Sequence, residues 1–149
     1  MGGDGRMNLS NSFSLEQLTF SETAGRRGLD NTPTPEQEEN LRELAQALER
    51  IQALLGFPLH ISSAFRSPKV NSAVGGSVTS AHMDGYAADF TCEAFGSPLQ
   101  VCQAIASSDI PYDQVIYEYE RWCHFSIDPR MRKMVLSKHI GEPYETGLA

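Results

Sequence analysis

A chain of 149 residues, 40% apolar and 21% charged, has the length and composition of one globular domain around one hydrophobic core. Its formal charge of -7 comes with no visible basic stripe. This disfavours a general electrostatic grip on nucleic acid and simple docking onto an anionic membrane or wall polymer. In chain order, the opening Met1-Gly2-Gly3-Asp4-Gly5-Arg6 has no basic segment followed by an apolar one, so no signal peptide is expected and synthesis in the cytoplasm is. Residues 1–8 read as a flexible N-terminus or an expression remnant, with Met7 a candidate start, and 9–149 as a single domain. No apolar run approaches the roughly 20 residues that cross a bilayer.

Ser14 is placed to cap a short helix through Leu18, with Gln17 at the capping-box position, and Gly25 to Asn31 reads as loop. The clearest helix begins at Thr34, with Pro35 at its first position and Gln37 completing a capping box. Leu41, Leu44, Ala45, Leu48, Ile51 and Leu55 recur at the helical period, and Gly56 ends it. Phe57 to Ser63 reads as a strand, Arg66 to Ala81 as a long loop of functional length, and Tyr86 to Thr91 as a short strand. Ser97, Pro98 and Gln100 announce a second capped helix with Leu99, Cys102 and Ala106 as its stripe. Gln114 to Glu118 and Trp122 to Ile127 are strand candidates joined by a tight turn, and Met131 to Leu136 is a further one. Early helices and late strands predict an α+β fold, a small, mainly antiparallel sheet with helices packed on one face. Cys92, Cys102 and Cys123 are odd in number and lack paired spacing, so they read as buried thiols.

The chemistry concentrates in Ser80-Ala81-His82-Met83-Asp84-Gly85-Tyr86-Ala87-Ala88-Asp89, with His124 further on. Two imidazoles and a carboxylate leave a fourth zinc position for water, as a catalytic site requires. A histidine on a strand is more commonly a hydrogen-bonded core residue, and spacing alone does not separate the two readings. Asp89 is more telling. It is flanked by Ala87, Ala88 and Phe90, and a charge in an apolar strand is costly unless paired or bound to a metal.

Ser80, His82, Gly85, Ala87 and Asp89 resemble the Ser-x-His-x-x-Gly-x-Ala-x-Asp signature of the zinc D-Ala-D-Ala carboxypeptidase-like peptidases, whose fold is shared with the hedgehog signalling domain. Ser63-Ala64-Phe65-Arg66-Ser67-Pro68 with Asn71 is similar to that family's Ser-Gly-Tyr-Arg-Ser-Pro element. Asp113 to Glu118 followed by Trp122-x-His124-x-Ser126 is similar to its closing hairpin. Ser21 to Ala24 and Gly28 to Pro33 resemble the lead-in of the phage-associated branch. The resemblance covers roughly Leu9 to Leu136. It implies a hedgehog/DD-peptidase-like fold, one zinc ion held by His82, Asp89 and His124, and Arg66 gripping the substrate's carboxylate or carbonyl, with a part in catalysis. Ser80 reads either as a hydrogen-bonding partner of the substrate or as a residue that stabilises its own turn. Two departures stand out. Arg121 occupies the place where some branches carry the general base, and Phe65 stands where the family often has Tyr.

Zinc peptidases need a carboxylate to carry a proton from water to the leaving amine. On one continuous strand Glu118 would lie about 20 Å from His124, at roughly 3.3 Å per residue. With a turn over Tyr119 to Arg121, Glu118 pairs with Trp122 and becomes a diagonal neighbour of His124, about 7 Å away. Glu118 is therefore the expected base, with Glu120, facing solvent from the turn, as the alternative. The resemblance implies hydrolysis of peptidoglycan stem peptides, either as a D-Ala-D-Ala carboxypeptidase or as an endolysin-type endopeptidase cutting between L-Ala and D-Glu. A monomeric phage or prophage protein acting at the bacterial cell wall after release fits this reading. A non-catalytic zinc-containing binding or structural protein is the alternative.

Overall fold

The computed structural model describes residues 7–149. The flexible segment expected over residues 1–8 lies mostly outside the described residues, although Asn8 bridges to Ser14 and Leu9 is buried. Among the described residues the helices are α1 (Leu15–Thr19), α2 (Glu22–Arg27), α3 (Pro35–Leu55), α4 (Pro68–Ala73) and α5 (Pro98–Ala106), with a 3-10 turn at Ala81–Asp84. The strands are β1 (His60–Ser63), β2 (Ala87–Thr91), β3 (Gln114–Glu118), β4 (Trp122–Ser126), β5 (Met134–Lys138) and β6 (Glu145–Thr146). They form one sheet in the order β1-β2-β4-β3-β5-β6, an α+β architecture as the sequence predicts. The chain divides into two compact units. One holds the described residues up to Glu49 with Ser63–Ala88, and the other Arg50–Ser62 with Asp89–Ala149.

In the first unit every helix start has a local cause. The Ser14 hydroxyl accepts from the Gln17 N–H, and Thr34 and Gln37 form the reciprocal box expected of them. Two segments that read as loop are partly helical. Ser21 caps α2, which runs through Gly25 to Arg27 and closes on Gly28 at φ 65°. Ser67 caps α4 with Pro68 at its first position, so part of the long serine-rich stretch is ordered helix. Leu41, Leu44, Ala45 and Leu48 of α3 are fully buried. Each of these leucines stabilises the fold by about 1.5–3 kcal/mol, the alanine by less.

The same helix holds the 3-10 turn. Gln37 Nε2 donates to the Met83 carbonyl (3.1 Å) and Asn40 Nδ2 to that of Asp84 (2.8 Å). Gly85 ends the turn at φ 83°, and a Cβ there would meet the Gln37 carbonyl oxygen at 2.9 Å. The glycine of the Ser-x-His-x-x-Gly pattern is thus required by both backbone conformation and space.

In the second unit β3 and β4 pair antiparallel in the expected register, with Glu118 opposite Trp122 and Ile116 opposite His124. Tyr119 and Glu120 both lie at φ 58°, the positive-φ pair that matches the strand twist of a tight hairpin, and the Arg121 N–H closes the turn on the Glu118 carbonyl at 3.0 Å. β5 runs parallel to β3, so the sheet is mixed rather than wholly antiparallel, and β6 pairs antiparallel with β5. Helix α5 lies against β3 and β4. It buries Val101, Cys102 and Ile105, whereas Leu99 and Ala106 of the expected stripe are only half-buried. All three cysteines are free and buried.

The chain crosses from β4 to β5 under a bidentate ion pair. Arg132 Nε and Nη2 donate to the two carboxylate oxygens of buried Asp113 at 2.9 and 2.8 Å. The guanidinium holds the Asp113 carboxyl below its ordinary range. A lowered folded-state pKa means the pair stabilises above about pH 4, the unfolded value. That contribution is lost as pH falls through the folded value. Arg132→Ala should cost about 2 kcal/mol, below the range for a wholly buried pair because Arg132 is partly exposed. Thermal unfolding at pH 7 should show a loss of roughly 4–8 °C that shrinks in acid, and an unchanged melting temperature would contradict this role.

Candidate metal centre

Asp89 sits in the middle of β2 between fully buried Ala88 and Phe90, and is itself 6% exposed. Water cannot solvate a carboxylate placed so deep, and a partner must offset the loss. His124 supplies one from β4, its Nδ1 lying 2.9 Å from Asp89 Oδ1. Strand alternation puts His124 on the face opposite buried Cys123 and Phe125. Cys123 instead neighbours Cys102 of α5, and burial first, then that thiol, pushes its own thiol up. It is not a ligand candidate.

His82 lies on the 3-10 turn and is 1% exposed. Its Nδ1 stands 2.6 Å from the Ala64 carbonyl oxygen. A carbonyl only accepts, so Nδ1 carries the proton and Nε2 carries the lone pair, the tautomer that a metal-ligating histidine requires. The backbone of His82 is held from both sides. Its N–H donates to Ser80 Oγ (3.2 Å), and its carbonyl accepts from the Arg66 N–H (3.1 Å).

His82, Asp89 and His124 each offer one ligand atom, and the three lie within 4.8 Å of one another. Donors about 2.0–2.1 Å from a tetrahedral ion stand roughly 3.3–3.5 Å apart, a spacing that falls within that limit. Two imidazoles and a carboxylate are a donor set that zinc accepts. The triad therefore fits a metal ion and could hold one.

The acids on the hairpin are also distinguished. The Trp122 Nε1–H donates to Glu118 Oε1 at 2.8 Å and so fixes one oxygen of the carboxylate. Trp122 is in turn met edge-on by the Tyr119 ring, 5.4 Å between centroids. Burial, then the charges of Glu118 and Asp89, holds the Tyr119 hydroxyl above its ordinary range. Glu120, expected to face solvent, is exposed but engaged by His139 Nδ1. Arg121 is exposed at the turn. Phe65, where a Tyr is usual, is almost fully buried. The expected register places Trp122 opposite Glu118, and the bond from its indole N–H to the carboxylate is what the structure adds.

A helix-and-strand fold with a buried His-Asp-His cluster defines a candidate metallohydrolase, and comparison with known families makes this specific. The chain belongs to the peptidase M15 family, the zinc D-Ala-D-Ala carboxypeptidase-like peptidases, whose family model matches residues 11–126. No curated protein matches the chain. Membership supports a metallopeptidase acting on peptides. No helix among the described residues is long and apolar enough to cross a membrane.

If the triad holds the ion, Asp89→Ala removes the one anionic ligand. Metal analysis of dialysed protein should fall from a full equivalent in wild type to a small fraction, and full retention would count against the site.

Proposed function

We propose that residues 9–149 form one zinc peptidase-like domain that hydrolyses peptidoglycan stem peptides, with His82, Asp89 and His124 as the zinc ligands. The observation that carries the reading is the convergence of those three buried side chains in a chain of the peptidase M15 family. A zinc ion bound there would polarise a peptide carbonyl and make a bound water acidic near pH 7.

The remaining tasks fall to residues of the chain. Glu118 is the general base: its carboxylate takes a proton from the attacking water while Trp122 holds Oε1, and the same proton passes to the leaving amine. The acyl carbon gains the hydroxyl as the C–N bond breaks, so the products are a carboxylate and an amine. Arg66 assists by gripping a substrate carboxylate or carbonyl through its guanidinium fork. Ser80 accepts from the His82 N–H and keeps its own hydroxyl hydrogen to offer to substrate. Either terminal D-Ala release or a cut between L-Ala and D-Glu is compatible with this arrangement. The setting that fits is a phage or prophage protein acting as a monomer on the bacterial wall.

Glu118→Gln keeps the Trp122 bond and removes the base. With zinc content unchanged, kcat on a stem peptide should fall about 10²–10⁴-fold. Retained turnover would remove Glu118 from the mechanism. Zinc-loaded wild type that cleaves no peptide would favour the non-catalytic zinc-containing binding protein instead.

A further inference from the structure

Asn31 lies in the segment between α2 and α3, far in sequence from Arg66, yet its side chain makes three hydrogen bonds. Nδ2 donates to the carbonyls of Thr19 (2.8 Å) and Phe65 (3.2 Å), and Oδ1 accepts from the Ser67 N–H (2.7 Å). The partners' chemistry fixes the orientation of the amide, because carbonyls only accept and the Ser67 N–H only donates.

Two of these bonds fall on the two peptide planes that flank Arg66. The Phe65 carbonyl belongs to the plane before its Cα and the Ser67 N–H to the plane after it. Those two planes define φ and ψ of Arg66, and so the direction in which its side chain leaves the backbone. The leading plane is held a second time, since the Arg66 N–H donates to the His82 carbonyl. The loop that presents Asn31 is itself braced. Asp30 Oδ1 accepts from the N–H (3.0 Å) and hydroxyl (2.6 Å) of Thr32, and the Asp30 carbonyl accepts from Ser67 Oγ (2.9 Å).

We infer that Asn31 is a positioning residue for Arg66: its amide clamps the backbone on both sides of that residue and so aims the guanidinium at the substrate. The inference rests on Arg66 being the substrate anchor. Only a side-chain amide of this length supplies both donors and acceptor. Aspartate keeps the acceptor and loses both donated bonds, and glutamine is one methylene too long.

The test uses zinc-loaded full chain and a synthetic pentapeptide stem that contains L-Ala–D-Glu and ends in D-Ala-D-Ala. Asn31→Ala should raise KM about tenfold with kcat within about twofold of wild type, because a misaimed anchor weakens binding more than chemistry. Zinc content should not change. In the Arg66→Ala background the same substitution should leave KM unaltered, since the two act as one unit. Asn31→Asp retains the Ser67 acceptor but sets a carboxylate oxygen against the Thr19 and Phe65 carbonyls, so it should raise KM at least as far as alanine does, and it gives the second reading if the alanine variant does not fold.

A lowered melting temperature with KM unchanged in both Asn31 variants would overturn the inference and leave a purely structural clamp. So would additive effects in the double variant. If Arg66→Ala itself leaves KM unchanged, the anchor reading fails and the role of Asn31 falls with it. That outcome is distinct from one in which Arg66→Ala raises KM and Asn31→Ala does not.

Discussion

A carboxylate in the middle of an apolar strand sets the terms for this molecule. Asp89 lies between side chains that are fully buried, where its charge is stable only if something replaces the water it has lost. His124 is the partner seen directly, 2.9 Å away. Burying an ion pair adds little net stability by itself, and apolar residues of similar volume would usually do as well. A strand that keeps an aspartate there is better understood as holding a ligand than as holding the fold together.

The surroundings supply what a metal ligand set needs beyond the ligands. The Ala64 carbonyl selects the tautomer of His82, and Gln37 and Asn40 of α3 pin the carbonyls of the turn that carries it. Gly85 lets that turn close against the helix. Segment 64–67 links these parts. Its carbonyls and N–H groups are taken up by His82, Leu18 and Asn31, so the backbone that carries Arg66 is also the backbone that orients His82. On the hairpin, one indole N–H singles out Glu118 from Glu120, which His139 occupies.

Much of this was readable from residue order, and the exceptions have physical reasons. Thr34-Pro35 and Ser97-Pro98 announced helices because an apolar stripe followed each cap. Ser67-Pro68 carries the same signal, but α4 is six residues long, too short to show a period, and the serines and glycines after it read as loop. α2 was hidden by Gly25, which local propensity disfavours in a helix, and by its length of six residues, too short to show a period; the Ser21 cap overrides both. In α5 the choice of Leu99 and Ala106 over Val101 and Ile105 placed the stripe on the wrong side of Cys102, since two rows of apolar residues fit the period. The hairpin register was derivable because turn length alone decides which residues face each other. The meeting of His82 with Asp89 and His124 was not derivable from spacing. It depends on tertiary contacts that only the resemblance to a known signature anticipated.

On the function proposed above, these three residues hold a metal that the chain uses to cut stem peptides. The most direct test is mass spectrometry of purified muropeptides digested with and without a zinc chelator, followed by zinc add-back. Wild type should give a new product, either loss of D-Ala or a cut after L-Ala, that disappears with chelator and returns with zinc. A product that persists in chelator, or no product from protein shown to carry zinc, would contradict it.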